Sequence, residues 1–304
     1  MLRTRLMVGT LLIAALVGLC WLDHRAAVPG TWLLPVLVAF TTLASQELLT
    51  LFAAKGLRPV AASVYAGNLL VVLSPWAASA ARNLESSNAS AIGDSIASGL
   101  AAEFVLAALA IAVALALLGE MARFGGPGRA AENLGASVFA IVYLGLLLSF
   151  AVRLRLEQGV GALASLLIVV KMGDTGAYFC GKVFGSHRMS PRLSPSKTVE
   201  GAIGAIVFSA AASWAVFQWL VPLVSPPGRI ANGPGSSFAA IGFGVVLGVV
   251  GIVGDLAESL LKRDAACKDS SSWVPGLGGV LDMLDSILLA APVAFACWRL
   301  GLVG

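Results

Sequence analysis

SFAAIGFGVVLGVVGIVGDLAESLLKR, residues 237–263, runs eighteen positions without a charge, meets Asp255, and closes on Lys262 and Arg263. A helix needs roughly 20 apolar residues to cross the hydrocarbon core of a bilayer. The run shows no period-2 alternation, and its Gly, Ala, Val and Leu mix suits packed membrane helices rather than barrel strands. Stretches of the same kind recur at 5–22, 31–53, 60–81, 99–121, 134–152, 160–181, 199–221 and 284–302. They are separated by turn-forming Pro29-Gly30, Gly56 to Pro59, Gly125 to Gly128, Ser225 to Gly228 and Pro275 to Gly279. The expectation is an all-α, polytopic integral membrane protein of about nine transmembrane helices.

Composition agrees. The 304 residues are 58% hydrophobic and 12% charged, about half the roughly 25% charge of a soluble domain, with mean hydropathy +0.91. Such a chain cannot cover itself with polar surface, so lipid is its solvent. Lys and Arg give the orientation. Thirteen fall on the N-terminus and even-numbered loops, from Arg3 and Arg5 to Lys262, Arg263 and Lys268, against six on the other side. The positive-inside rule then puts the N-terminus in the cytoplasm, and the expected location is the inner (cytoplasmic) membrane. Residues 1–22 have the basic start and apolar core of a signal peptide, but no small-x-small site follows, and they read as an uncleaved first helix. Cys20, Cys180, Cys267 and Cys297 form no CxxC, and with only His24 and His187 beside them a zinc site is not expected. No nucleic-acid partner is expected either.

Polar chemistry concentrates in the second half. From residue 160 onward lie eight of the sixteen acids and the two richest basic loops. The expected organisation is one membrane domain over 1–304, with scaffold helices at 1–159 and catalytic helices and loops at 160–304. In KMGDTGAYFCGKVFG, Lys171 and Asp174 stand three residues apart on one helical face, with Tyr178 one turn on. Ionisable groups at such depth are costly and mark interior or wet sites. That pair alone also suits a proton or ion pathway in a transporter, or simple helix pairing. Next, SHRMSPRLSPSKTVEG sets Arg188, Arg192, Ser194, Ser196, Lys197 and Thr198 just before a helix start near Val199, an arrangement fitted to phosphate oxygens.

The densest segment is 254–286. Asp255, Glu258 or Ser259, and Lys262 form one helical stripe, and Asp282 and Asp285 open the last helix beyond a Pro/Gly turn. Carboxylates on both sides of a turn can hold Mg²⁺, which takes oxygen ligands and shares them with substrate phosphates, while the bases neutralise the remaining charge. Glu47 and Glu103 are isolated acids in apolar spans and are assigned no role at this point.

Ser259, Lys262, Arg263, Lys268, Asp269, Pro275, Gly276, Gly278, Gly279, Asp282, Asp285 and Ser286 together resemble the C-terminal signature of the phosphatidate cytidylyltransferase (CDP-diacylglycerol synthase) family. Asp174, Gly176, Ala177, Tyr178, Gly181, Ser194, Pro195, Lys197, Thr198, Glu200 and Gly201 resemble its upstream blocks. The resemblance is specific over 174–286. It implies transfer of CMP from CTP to phosphatidic acid, giving CDP-diacylglycerol and pyrophosphate, on an acidic centre holding Mg²⁺ and a second cation. It further implies Asp255 and Asp282 as metal ligands, and Lys197, Lys262, Arg263 and Lys268 as phosphate contacts, with Asp269 and Asp285 also catalytic. Ser194, Thr198, Asp174 and Ser259 would bind the nucleotide, the partners would be CTP, phosphatidic acid and the bilayer, and the family suggests a homodimer. Two positions depart from the pattern: Leu277 stands for its His and Met283 for its Arg. A degenerate or altered-substrate homologue is the alternative they leave open. The DxxD of Asp282 and Asp285 also occurs in CDP-alcohol phosphotransferases, but Ile287 to Pro292 lack the positions that class expects.

Overall fold

A computed structural model describes residues 14–15, 17–26, 28–85, 93–224, 234–267, 271 and 278–303. Eight helices among them are long and apolar enough to cross a membrane. They are α1 (Leu34–Ala54), α2 (Ala61–Glu85), α3 (Gly93–Ala122), α4 (Ala130–Gln158), α5 (Val160–Phe184), α6 (Val199–Val224), α7 (Pro234–Asp264) and α8 (Val280–Arg299). The chain is thus an all-α polytopic membrane protein, as its hydropathy implies. The span expected at 5–22 lies mostly outside the described residues, with helix present over 17–24.

Several boundaries differ from the expected ones. The span expected at 134–152 is helical from Ala130 to Gln158 and includes two π-helical stretches, Ile141–Leu146 and Leu154–Gln158. The last helix starts at Val280 rather than 284, directly after the glycines. The loop before α6 is not irregular. Its strands β1 (Arg188–Ser190) and β2 (Ser194–Thr198) pair antiparallel, Arg188 opposite Thr198 and Ser190 opposite Ser194.

Chain contacts divide the protein into two compact units, residues 1–157 with 264–281, and residues 158–263 with 282–304. In the first, Val71, Val105, Ala108, Ala112, Ala116 and Ile141 form a buried core drawn from α2, α3 and α4. A methyl group added at Gly67 would lie 2.9 Å from Ile141 and 3.1 Å from Ala112, so the small residue is what lets these helices meet. Pro75 lies inside α2 and supplies no N–H to the Val71 carbonyl four residues earlier. The Ser74 hydroxyl donates to that carbonyl instead, at 2.8 Å. Asn68 donates to Ser45 Oγ at 2.8 Å, a buried bond joining α2 to α1.

At one end of this unit Asp23 is buried and accepts from Arg155 Nε at 2.6 Å, Gly30 N at 3.2 Å and Trp32 N at 3.1 Å. The pair ties the first described helical segment to α4. The second unit packs α5 on α6 through small residues. Gly176 faces the Gly204 carbonyl and Phe208, and Gly204 faces Cys180. Ser209 and Ser213 donate to the carbonyls of Val169 and Ala240, and Phe217 stacks on Trp298.

Removing one partner of a buried ion pair strands the other charge, at about 3–5 kcal/mol. The side chains of Arg155 and Asp23 are 10% and 0% exposed. Arg155→Met is therefore expected to lower the melting temperature of the detergent-solubilised protein clearly. Arg129→Met, which breaks an exposed pair with Glu132, should leave it within a degree or so.

Candidate active site

The second unit carries the polar chemistry. The C-terminal half of α5 presents Asp174, Ala177, Tyr178 and Gly181 at helical spacing on one face. Lys171 Nζ lies 2.9 Å from Asp174 Oδ2 and 4.0 Å from Asp285 Oδ1. Ser286 Oγ donates to Asp174 Oδ1 at 3.2 Å. The pair that sequence placed on α5 is therefore joined to α8 and does not stand alone.

The hairpin is tied to the first turn of α6. Thr198 is the N-cap, its Oγ1 accepting from Gly201 N at 3.1 Å. Glu200 accepts from the backbone N–H groups of Ser186 and His187 and pairs with His187 Nδ1 at 2.6 Å. Val199 N donates to the His187 carbonyl at 2.9 Å, closing the connection. Within this frame Lys197 Nζ reaches Asp255 Oδ2 on α7 at 2.7 Å.

On α7, Asp255, Glu258 and Lys262 lie along one stripe facing α8. Lys262 Nζ sits 2.7 Å from Glu258 Oε2 and 2.5 Å from Asp282 Oδ1, bridging the two helices. Glycine sets the approach. A methyl on Gly254 would stand 2.6 Å from the Asp285 carbonyl oxygen and 3.1 Å from Ser286 Cα, so α7 and α8 touch backbone to backbone here. One carboxylate oxygen from each of Asp255, Glu258 and Asp285 consequently falls within 4.8 Å of the others. Asp285 is buried, and the N–H of Ser286 donates to its Oδ1 at 2.5 Å.

Asp174, Lys197, Asp255, Asp282 and Asp285 border a cavity of about 540 Å³, within the range of small-molecule sites. Its wall includes Asp174, Tyr178, Lys182, Ser196, Lys197, Thr198, Asp255, Asp282 and Asp285, with Gly173, Gly181, Gly201, Gly248 and Gly251 keeping it open. Of the residues singled out from sequence, Asp174, Lys197, Thr198, Asp255, Asp282 and Asp285 are brought together here, with Lys262 against Asp282. Arg263 instead donates to the Leu193 carbonyl at 3.1 Å and holds the hairpin. Ser194 and Ser259 are half-buried and do not line the cavity. Lys268, Asp269 and Leu277 lie outside the described residues, and Met283 is half-buried on α8.

Glu258 is the site group that sequence left undecided. Its spacing to Asp255 and Lys262 already carried the signal, but only the close approach of α8 singles it out from Ser259. Among the described residues its Oε1 is buried without a hydrogen bond, and the three carboxylates offer a hard oxygen donor set, so the group fits a cation such as Mg²⁺.

The profile of the Cytidylyltransferase family matches residues 3–300, nearly the whole chain. The chain belongs to this family. Similar proteins include the phosphatidate cytidylyltransferase of Chlamydia muridarum, 37% identical over 131 residues, which are 43% of this chain and 41% of that protein. The Bacillus subtilis phosphatidate cytidylyltransferase is 34% identical over 166 residues, 54% and 58% of the two chains. That of Mycobacterium bovis is 35% identical over 173 residues, 57% and 52%. The chain spans about half the length of the relatives it matches.

Overpacking a tight helix contact costs about 1–3 kcal/mol. Gly254→Ala is expected to lower the melting temperature of the purified protein accordingly. At Gly242, where an added methyl meets nothing within 4 Å, the same substitution should not lower it.

Proposed function

We propose that the chain is a metal-dependent nucleotidyltransferase, a phosphatidate cytidylyltransferase that moves CMP from CTP to phosphatidic acid and releases pyrophosphate. The observation that carries this reading is the convergence of Asp255, Glu258 and Asp285 within 4.8 Å beside the ammonium groups of Lys197 and Lys262, with Asp255, Asp285 and Lys197 lining a 540 Å³ cavity. Carboxylates for a cation and lysines for phosphate, side by side, are what a triphosphate requires. The family and the names of its similar members support the same chemistry.

In the reaction an oxygen of the lipid phosphate bonds to the α-phosphorus of CTP while the bond from that phosphorus to the pyrophosphate oxygen breaks. The nucleophile is already ionised near neutral pH, so no side chain has to remove a proton. Alignment and charge neutralisation remain. Asp255, Glu258 and Asp285 would hold Mg²⁺, which supplies charge neutralisation to the triphosphate when bound. Lys197 and Lys262, each within 2.7 Å of a carboxylate of this cluster, bring ammonium charge to the same phosphate oxygens. Asp282 orients Lys262 from the opposite helix. Thr198 and the first turn of α6 line the cavity, where a helix start favours negative charge. Lys171 braces Asp285 and pairs with Asp174, which lines the same cavity.

In this reading the helices up to residue 159 are scaffold and those from 160 catalytic. The N-terminus and the hairpin face the cytoplasm, where CTP is found, and the membrane is the inner one. Because the lipid headgroup meets the cavity at the interface, its acyl chains stay in the bilayer.

The test is incorporation of labelled CTP into lipid by purified protein with phosphatidate and Mg²⁺. CDP-diacylglycerol and pyrophosphate should form in equal amounts, and chelation of divalent ions should stop both. Asp285→Asn and Lys197→Met should each lower kcat by about 100-fold or more, the scale for losing a charge-stabilising group. Unchanged turnover in both variants would sink the assignment.

A further inference from the structure

Outside the cavity, one buried acid has partners that the proposed reaction does not explain. Glu47, in the middle of α1, is 2% exposed. Its Oε1 accepts from Val280 N at 2.9 Å and from Ser271 Oγ at 2.6 Å, and its Oε2 accepts from Leu281 N at 2.8 Å. A carboxylate so deeply buried is costly unless hydrogen-bonded, and here both oxygens are engaged.

Val280 and Leu281 are the first two residues of α8, whose backbone N–H groups have no partner within the helix. The residue before them, Gly279, has no side-chain oxygen with which to cap them. Glu47 supplies that cap from a segment more than 230 positions away in sequence, with a negative charge at the positive helix end. The same helix holds the other end of the connecting segment. Lys55, which closes α1, pairs with Asp264 at 2.8 Å. Residues 264–281 are thereby stapled to α1 at both ends, eight residues apart on that helix.

We infer that Glu47 is a positioning residue for the cytidylyl-transfer site: its carboxylate holds the first turn of α8, and so the place of Asp282, the residue immediately after Leu281. This rests on the reaction proposed above. Among the described residues Glu47 is not part of the cavity wall, and it acts through the backbone of the helix. Gln at this position keeps the shape but replaces one acceptor by an NH₂ that faces a backbone N–H. Ala removes both acceptors.

The experiment uses the full chain in lipid nanodiscs and two readouts. Amide exchange of a peptide covering residues 280–281 should speed up at least about tenfold in Glu47→Ala, because the capped N–H groups lose their acceptor. Turnover with CTP and phosphatidate should fall by about 10- to 100-fold in Glu47→Ala, the scale for slight misplacement of a catalytic group, with Glu47→Gln intermediate. KM for CTP should stay within about twofold, since uniform binding is not what is lost. Unchanged exchange at 280–281, or full turnover in Glu47→Ala, would overturn the inference. So would a fall in turnover matched by global unfolding in both variants, which would make Glu47 a fold residue only. If the wild-type protein makes no CDP-lipid, the proposed reaction fails and the catalytic role inferred for Glu47 falls with it. Faster exchange in Glu47→Ala would then still establish the helix cap alone.

Discussion

Ionisable groups within membrane helices are tolerated only when they neutralise one another or meet water, and this constraint organises the second unit. Lys262 stands between Glu258 and Asp282, Lys197 against Asp255, and Lys171 between Asp174 and Asp285. Among the described residues three ammonium groups thus serve five carboxylates drawn from α5, α7 and α8. The surplus of carboxylates suits the cavity to the cation of the proposed reaction, and the lysines keep it from repelling a phosphate outright. Glycine and alanine faces follow from the same demand, because charges can pair across helices only when the backbones come close.

Much of this was legible in the chain. Eighteen uncharged residues before Asp255 dictate a membrane helix whatever the neighbours do, and acids three apart must share a face. Asp255, Asp282, Asp285, Lys197 and Lys262 could therefore be named without coordinates. The hairpin could not, because Arg, Ser and Pro in that loop give no alternating pattern. Its strands are held by pairing with each other and by Glu200 and Arg263. The preference for Glu258 and Asp285 as neighbours of Asp255 depends on where Gly254 lets α8 sit, a contact made across thirty residues of sequence.

Glu47 was opaque for a related reason. An acid alone in an apolar run looks the same whether it faces lipid, a partner helix or a backbone, and only the fold chooses. The first unit shows several such choices. Asn68 finds Ser45, Asp23 finds Arg155, and Ser74 repairs the carbonyl that Pro75 leaves open. Each satisfies a polar group that hydrocarbon would otherwise penalise by several kcal/mol. The Asn68 and Asp23 contacts also tie one helix to another.

The contact at Gly254 has a further consequence for how such a site can change over time. Main chain meeting main chain has no rotamers to adjust, so the distance between the α7 and α8 backbones here is independent of nearby side chains. Substitutions around the cavity can retune its shape and charge without moving that span. In the proposed reaction, a change of preferred ion would have to come through the identity of the carboxylates themselves. The pocket is free to drift while the spacing of the two helices is inherited.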